Sequence, residues 1–387
     1  MSIVDLQCNF VKLPTRRDHN WASKMDSPIG SHLVVRLESD DGLVGWGETP
    51  AIATWGGAHM MYYGETAKTA KHIIEDYLFP LIEDRSPLDI GPIHADMDEV
   101  VKGHPYAKAA LDIALHDLAG KQLGVPVYDL LGGQHRDRIP VAHSLGIMDN
   151  EAAIAEAEQA VSEGVRTIKA KAGIDADRDI DLVRGLRETL GPDVHIRIDA
   201  NEGYELASTA AEITRKMQEY DIQYMEQPVA DLEDMAAVAA AVNVPIMADE
   251  GAWTAKDIFR IRNHRAAEYF SLYVTKPGGL YRARDVGATA EAAGLRCDIG
   301  GSIEMGIGNA ANLHLGAAVP IAGMASVTPV NRPAAEYDGQ VAGVYYEDDI
   351  IVDSLQYEDG DVLVPEGPGL GIEVDESKLE DYSITVA

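Results

Sequence analysis

The sequence predicts an α/β protein: a (β/α) barrel of seven or eight units preceded by an α+β segment. Three observations predict it. Short β-rich runs, each followed by a helical pattern, recur between about Pro140 and Pro329 at intervals of roughly 20 to 28 residues. That is the length of a strand, a helix and two short loops. Several of those runs end in charged residues, where a barrel of this kind keeps its chemistry. Before Pro140 the order differs, with strands first and helices afterwards.

Taken in order, "GSHLVVRLESDDGLVGWGE" alternates apolar and polar residues around Asp41-Gly42, which predicts an antiparallel hairpin. From Glu65 to Leu131 the apolar spacing becomes helical, and Gly124 stands where the helix over "AKAALDIALHDLAGKQLG" should stop. The barrel strands are then "IPVAHSLG", "RTIKAKAG", "HIRIDAN", "IQYMEQP", "PIMADE", "YFSLYVTKPGG", "LRCDIGG" and "MASVTP". The last units are less regular, which leaves room for a seven-helix variant. After Gly339 the chain returns to strand-like, turn-rich sequence that should pack back on the N-terminal region.

Composition narrows the function. A formal net charge of −32 argues against a nucleic-acid partner, whose phosphates such a surface repels. No apolar run approaches the roughly 18 to 20 residues of a membrane span. The start "MSIVDLQCNF" lacks the basic-then-apolar order of a signal peptide. Cys8 and Cys297 alone make no disulfide framework. The expectation is a soluble cytoplasmic protein.

The strand ends carry the chemistry. Asp199 ends "RIDAN", Glu226 ends "YMEQP", and Asp249 with Glu250 ends "IMADE", so three successive strands bring carboxylates to one rim. Like charges that close are costly without a cation between them. Hard oxygen ligands suit Mg²⁺ or Mn²⁺, one ion per site. Alternation alone does not choose between Asp249 and Glu250. In "IKAKAG", Lys169 and Lys171 point to one side of a strand. Read alone, the pair would fit an edge strand with solvated lysines. Yet this strand immediately precedes the acidic trio, and Lys276 in "TKPGG" follows it. A lysine acting as a base near neutral pH needs its pKa brought down from about 10.4, and a second ammonium plus a divalent cation do this. On this reading Lys169 tunes Lys171, Lys171 exchanges a proton with substrate, and Lys276 faces the other side of the same carbon. The implied chemistry is proton abstraction α to a carboxylate, with the metal stabilising the enediolate. Bases on two faces permit racemisation or epimerisation, and one base permits β-elimination.

Together the motifs K-x-K, D-x-N, E-Q-P, A-D-E and K-x-G-G, in this order, resemble the enolase superfamily. The resemblance is to the muconate lactonizing enzyme (muconate cycloisomerase) subgroup of the mandelate racemase/muconate lactonizing enzyme family. It extends to "GHPYAKAALDIALHDLAGKQLGVPVYDLLGG" and "PEGPGLGIEVDESKL". It implies a modified TIM barrel at about 133–339, capped by an α+β domain made from 1–132 and the tail 340–387. It implies a divalent metal on Asp199, Glu226 and Asp249, with Lys171 and Lys276 as the acid/base pair. Glu250 then becomes a neighbour that pairs with Lys276, and Asn201 and Gln227 orient ligands. Glu304 in "GGSIEMGIG" matches an acidic residue on the seventh strand of lactonizing enzymes. The mandelate racemase branch would want a His there, which this chain lacks. "RRDHNWASKMDS" and "TPAIATWGGAHMMYYGE" fall where the family's specificity loops sit. They offer His19, Trp21, Trp55, His59 and Tyr62 as pocket residues, with Gly56 and Gly57 letting the second loop close. The resemblance further implies a small carboxylate substrate and a homo-oligomer.

The expected function is a muconate-type cycloisomerase. The alternatives are a racemase or epimerase of an N-substituted amino acid or proline derivative, and a dehydratase using the same lysines. Dipeptides are disfavoured, because "VTPVNRP" lacks the D-x-D of the family's peptide-type members. A non-catalytic binder should have lost a metal ligand or a lysine, and none is lost.

Overall fold

The computed structural model describes residues 1–22, 31–56, 62–332 and 338–385. It begins with an antiparallel sheet of β1 (Ile3–Val11), β2 (His32–Ser39) and β3 (Val44–Pro50) in that spatial order. The predicted hairpin joins β2 to β3, closed at Asp41-Gly42 by the Ser39 amide donating to Leu43 O at 3.0 Å. Alternation along β2 serves two cores. Leu33, Val35 and Leu37 pack with the helices that follow, while Val34 joins the barrel-side core. Those helices are α1 (Ala67–Ile73), α2 (Phe79–Ile82), α3 (Ile90–Val100), α4 (Pro105–Leu123) and α5 (Val127–Leu130). A π-helical turn, Ile74–Leu78, joins the first two. α4 is buried on every side from Tyr106 to Gly120, because sheet, barrel and neighbouring helices surround it. It stops at Gly124, whose φ of 71° lies in the left-handed region that glycine enters freely.

The first predicted barrel strand divides in two. β4 (Arg138–Pro140) leaves the barrel, and β5 (Ala142–Leu145) enters it. From there strands and helices alternate: α6 (Asn150–Ser162), β6 (Thr167–Lys171), α7 (Ala176–Leu190), β7 (His195–Asp199), α8 (Ala207–Met217) and β8 (Ile222–Glu226). Next come α9 (Leu232–Ala241), β9 (Ile246–Ala248), α10 (Ala255–His264), β10 (Tyr269–Leu272), α11 (Leu280–Ala293), β11 (Arg296–Ile299) and α12 (Gly306–Ala318). Asp149, Asp175 and Asp231 start α6, α7 and α9 by accepting from first-turn amides. β5 to β11 form one parallel seven-stranded sheet in chain order. This is the modified TIM barrel with a separate antiparallel cap sheet.

The eighth predicted strand, "MASVTP", forms no strand among the described residues. It closes the barrel by one parallel bridge, Val141 to Ser326, with Ala142 donating to Ser326 O at 2.8 Å. Ser326 reaches β11 through its Oγ, which accepts from the Ile299 amide at 3.0 Å. Thr328 and Val330 run on towards the tail, and Val330 donates to Gly343 O instead of to a strand.

The tail touches both parts. β12 (Tyr357–Glu358) and β13 (Asp361–Leu363) add to β4 as a three-stranded antiparallel sheet. After α13 (Glu376–Asp381) the chain returns to β1: Lys12 donates to Tyr382 O at 3.1 Å and Ile384 to Phe10 O at 2.8 Å. Buried carboxylates join cap to barrel as well. Glu48 on β3 accepts from His32 Nδ1 at 2.9 Å and from the amides of Met305 and Gly308 at 2.7 Å each, at the start of α12. No helix of the described residues is long and apolar enough to cross a membrane.

Candidate active site

Strand register assembles the rim. Lys171 is opposite Asp199 between β6 and β7, and Asp199 is opposite Glu226 between β7 and β8. The three residues therefore form one row at the strand ends. Asp249 follows β9 immediately and completes the set. Asp199, Glu226 and Asp249 are all buried and each offers a carboxylate oxygen within 4.8 Å of the others. Glu226 Oε2 has no hydrogen-bond partner among the described residues. Burial, then the charge of Asp199, pushes the Glu226 carboxyl well above its ordinary pKa. Burial also works against ionised Asp199, but Lys169 and Lys171 hold it below the usual carboxylate range. Crowded carboxylates with an orphaned buried oxygen fit a divalent cation, which takes such hard ligands.

The lysines stand on both sides of this cluster. Lys169 Nζ lies 2.7 Å from Glu226 Oε1 and 3.1 Å from Asp199 Oδ2. Burial disfavours its ammonium, but those two carboxylates outweigh it and raise its pKa well above the ordinary value. Lys171 Nζ donates to the same Asp199 Oδ2 at 2.6 Å and to Asn201 Oδ1 at 2.9 Å. Lys276 is not on a strand. β10 ends at Leu272, and Lys276 sits in the turn beyond, donating to Asp249 Oδ1, to Asp249 O at 2.7 Å and to Ser271 O at 3.1 Å. The expected Lys276–Glu250 pair is therefore replaced by Lys276–Asp249. The reason is reach: Asp249 offers both its carboxylate and its carbonyl to one ammonium. Glu250 instead accepts from Asn201 Nδ2 at 2.8 Å, and burial with Asp249 and Asp199 nearby raises its pKa well above normal. Gln227 Oε1 accepts from the amides of Asp249 at 2.9 Å and Gly251 at 3.2 Å, which fixes the backbone beneath Asp249.

Above the rim lies a pocket bounded by both parts of the protein. His19, Trp21 and Trp55 from the cap face Lys169, Lys171 and Asp249 from the barrel. Trp21 lies 6.0 Å from Lys171 Nζ, while Trp55 and Tyr273 lie 5.2 and 4.1 Å from Lys276 Nζ, measured to the ring centroids. His19 is buried, with Nδ1 3.2 Å from Arg17 and Nε2 3.4 Å from Ser144 Oγ. Burial, then Arg17 and Lys171, pulls its pKa well below 6.5, so the imidazole is neutral. Glu304 is buried under the pocket loop and accepts from the Ser302 amide at 2.8 Å. Burial lifts its pKa to about 8, so it carries a proton at neutral pH.

Tyr62 does not join this lining. Its ring stacks on Trp253 at 4.7 Å and its hydroxyl donates to Asp257 in the first turn of α10. His59 and Gly57 lie outside the described residues. Sequence reading passed over Ser144, Ser302, Tyr273 and Tyr345, which also line the pocket. Ser144 sits at a strand end and Tyr273 three residues before Lys276, so the strand-end rule applied evenly would have found both. Tyr345 comes from the tail, and no local signal marks it.

Fold and site together define an α/β-barrel enzyme with its reactive groups at the C-terminal ends of the strands. Residues 152–378 match the family model for the enolase C-terminal domain-like fold. Residues 22–132 match the mandelate racemase/muconate lactonizing enzyme N-terminal domain. The chain belongs to this family of the enolase superfamily. It is 30% identical over 388 residues to an N-succinyl-L-Arg/Lys racemase of Bacillus cereus, covering 99% of this chain and 98% of that one. It is 32% identical over 396 residues to a muconate cycloisomerase 1 of Rhodococcus opacus, covering 99% of each. The crystal structure of N-succinyl Arg/Lys racemase from Bacillus cereus superposes with a TM-score of 0.90 at 29% identity, over 100% of this chain and 99% of that one.

Proposed function

We propose that the protein moves a proton at the carbon α to the carboxylate of a small substrate, and that the overall reaction is a racemisation or epimerisation. One observation carries this reading. The strands that carry or lead into the carboxylates, β7 to β9, stand between the strand of Lys171 and the strand that leads into Lys276. The two ammonium groups are bonded to different members of the cluster, Asp199 and Asp249. On this reading a substrate carbon held over the cluster would have a lysine on each face.

Asp199, Glu226 and Asp249 would hold Mg²⁺ or Mn²⁺, which supplies Lewis-acid stabilisation of the negative charge that develops on the substrate carboxylate. Lys171 and Lys276 exchange the proton, one removing it and the other returning it from the opposite face. Lys169, held by Asp199 and Glu226, stays cationic and adds positive potential beside Lys171 and the enediolate. Apart from the rim residues Lys169, Lys171, Asn201 and Asp249, the described lining residues are the neutral His19 and aromatic, aliphatic, glycine or hydroxyl-bearing groups. Such walls suit an uncharged N-acyl substituent better than a second carboxylate.

A second reading, cycloisomerisation of a muconate-type diacid, is favoured by the 32% identity with muconate cycloisomerase 1. It requires only one lysine to exchange a proton with solvent. Incubation in D₂O with Mg²⁺ separates the two, using a panel of N-acylated amino acids, N-succinyl-L-arginine among them, and muconate. Deuterium entering Cα with loss of optical rotation supports the racemase. Lactone formation from muconate with one solvent deuterium, and no exchange in any N-acylated amino acid, overturns it in favour of the cycloisomerase. A homo-oligomer is part of the same proposal, and light scattering on the eluted protein measures it.

A further inference from the structure

Both ammonium groups are bonded to barrel residues, but the backbone segments that carry the two lysines rest on different parts of the molecule. The backbone around Lys171 is fixed within the barrel: Arg178 donates to Lys171 O at 3.1 Å, and the Gly173 amide to Asp179 Oδ2 at 2.8 Å. Ala172 donates to Asp199 O at 2.8 Å. Lys276 lies beyond its strand, and the turn carrying it rests on the cap. Gly278 donates to Thr275 O at 3.2 Å and Gly279 to Val274 O at 2.9 Å, after which α11 begins at Leu280. The Leu280 amide donates to Asp112 Oδ2, on cap helix α4, at 2.6 Å. Gly279 has φ +125°, and a Cβ there would come within 2.3 to 2.5 Å of the Asp112 side chain, so backbone and carboxylate are in direct contact. A Cβ on Gly278 would meet Lys108 Cβ at 3.5 Å, one turn earlier on the same helix.

Asp112 is itself immobilised. It is fully buried and accepts from His94 Nε2 at 2.6 Å, while His116 Nδ1 lies 3.2 Å from its other oxygen. The His94 ring stacks on Tyr281 of α11 at 5.0 Å, so α3 and α4 both grip the start of that helix. Burial works against ionised Asp112, but His116 and His94 hold its pKa far below the usual range.

We propose that Asp112 is a positioning residue for Lys276: it fixes the 276–280 turn from the capping domain and so sets the acid/base group on one face of the substrate only. The proposal rests on the role given above to Lys276. It makes the cap an adjustable support for one half of the reaction and leaves the Lys171 half to the barrel.

The test is Asp112→Asn in the Mg²⁺-loaded enzyme, with His94→Gln as a milder variant in case the first folds poorly. Exchange of Cα–H is followed in D₂O for both enantiomers of an N-acylated amino acid that the wild type turns over. Lys276→Ala and Lys171→Ala assign one enantiomer to each lysine. In Asp112→Asn, exchange of the enantiomer assigned to Lys276 should fall by about 10- to 100-fold, as for an acid/base group displaced by about 1 Å. Exchange of the other should stay within about twofold. Equal loss for both enantiomers, or no loss, overturns the proposal. A second readout needs no substrate. The ratio of acetic anhydride labelling at Lys276 to that at Lys171, read by peptide mass spectrometry, should rise in both variants. An unchanged ratio overturns the proposal even if the wild type exchanges no N-acylated amino acid, an outcome that would count against the racemase reading alone.

Discussion

Asp112 and Glu48 are as deeply buried as Asp199, Glu226 and Asp249, yet their surroundings are opposite in kind. Asp112 meets two imidazoles and a backbone amide, and Glu48 meets one imidazole and two amides. In its hydrogen bonds each meets donors only. At the rim, three carboxylates share three ammonium groups and leave one oxygen of Glu226 without a partner. A carboxylate matched by protein donors is structural, because nothing further is needed to keep it ionised. A cluster short of donors is a demand for a cation from outside. Burial alone does not tell the two apart, but the count of donors does.

The strongest way to sharpen this contrast is at the rim lysines. Lys171→Ala should lower turnover by about 10²- to 10⁴-fold, the usual worth of a general acid or base. Steady-state kinetics on a verified substrate checks this, and near-normal turnover would remove Lys171 from the chemistry. Glu304 has few donors of its own and follows next. Its pKa of about 8 lies above the ordinary carboxyl value of 4.5, so the folded state keeps a proton that the unfolded chain releases. Stability should therefore fall as pH rises from about 4.5 to about 8 and then level off, an effect on the order of 5 kcal/mol for a shift of that size. In Glu304→Gln that fall should disappear from urea midpoints measured across the range.

Metal binding should separate the two groups of carboxylates directly. Mg²⁺ at about a hundred times its Kd should stabilise the protein by about 2.7 kcal/mol. The gain should vanish in Glu226→Gln and persist in Asp112→Asn. A gain lost equally in both variants would mean that the cation does not sit at the rim. The smallest effect concerns the metal-free protein. There Asp112→Asn and Glu48→Gln should each cost about 1 to 3 kcal/mol, because a buried donor loses its acceptor. Glu226→Gln should cost nothing or stabilise, since it relieves like-charge repulsion. Equal costs in thermal melts would erase the distinction between the groups.

Much of the rim was legible because it is written locally. Three successive units carry an acid at or just after the strand end, Asp199 and Glu226 closing five-residue strands and Asp249 following a three-residue one, and so announce their register. Lys171, Asp199 and Glu226 fall in one row because parallel strands of matched length end together. Lys276 was found by its motif but misplaced onto a strand, since propensity runs apolar through Val274 while the hydrogen bonds stop at Leu272. The clamps were not legible. Asp112 contacts Leu280 across 168 positions and Glu48 contacts Met305 across 257, and no local period records such partners. One signal was present. "ALDIALHDL" places Asp112, His116 and Asp117 in a helical stretch whose other residues are all apolar, and charges in such a stretch need partners from elsewhere. The eighth barrel strand failed for the opposite reason: "MASVTP" has the composition of a strand, but its neighbours leave it a single bridge.

The pairing of Phe10 and Lys12 with residues 382–384 has a consequence for how the protein is made. The free edge of β1 emerges from the ribosome early, and the segment that covers it is synthesised roughly 370 residues later. Throughout that interval the nascent chain presents an unsatisfied strand edge, the feature most prone to pairing with a second chain. The barrel units can form in sequence meanwhile, each needing only its neighbours. Translation pauses and chaperone occupancy should therefore matter more to the yield of the cap than to that of the barrel.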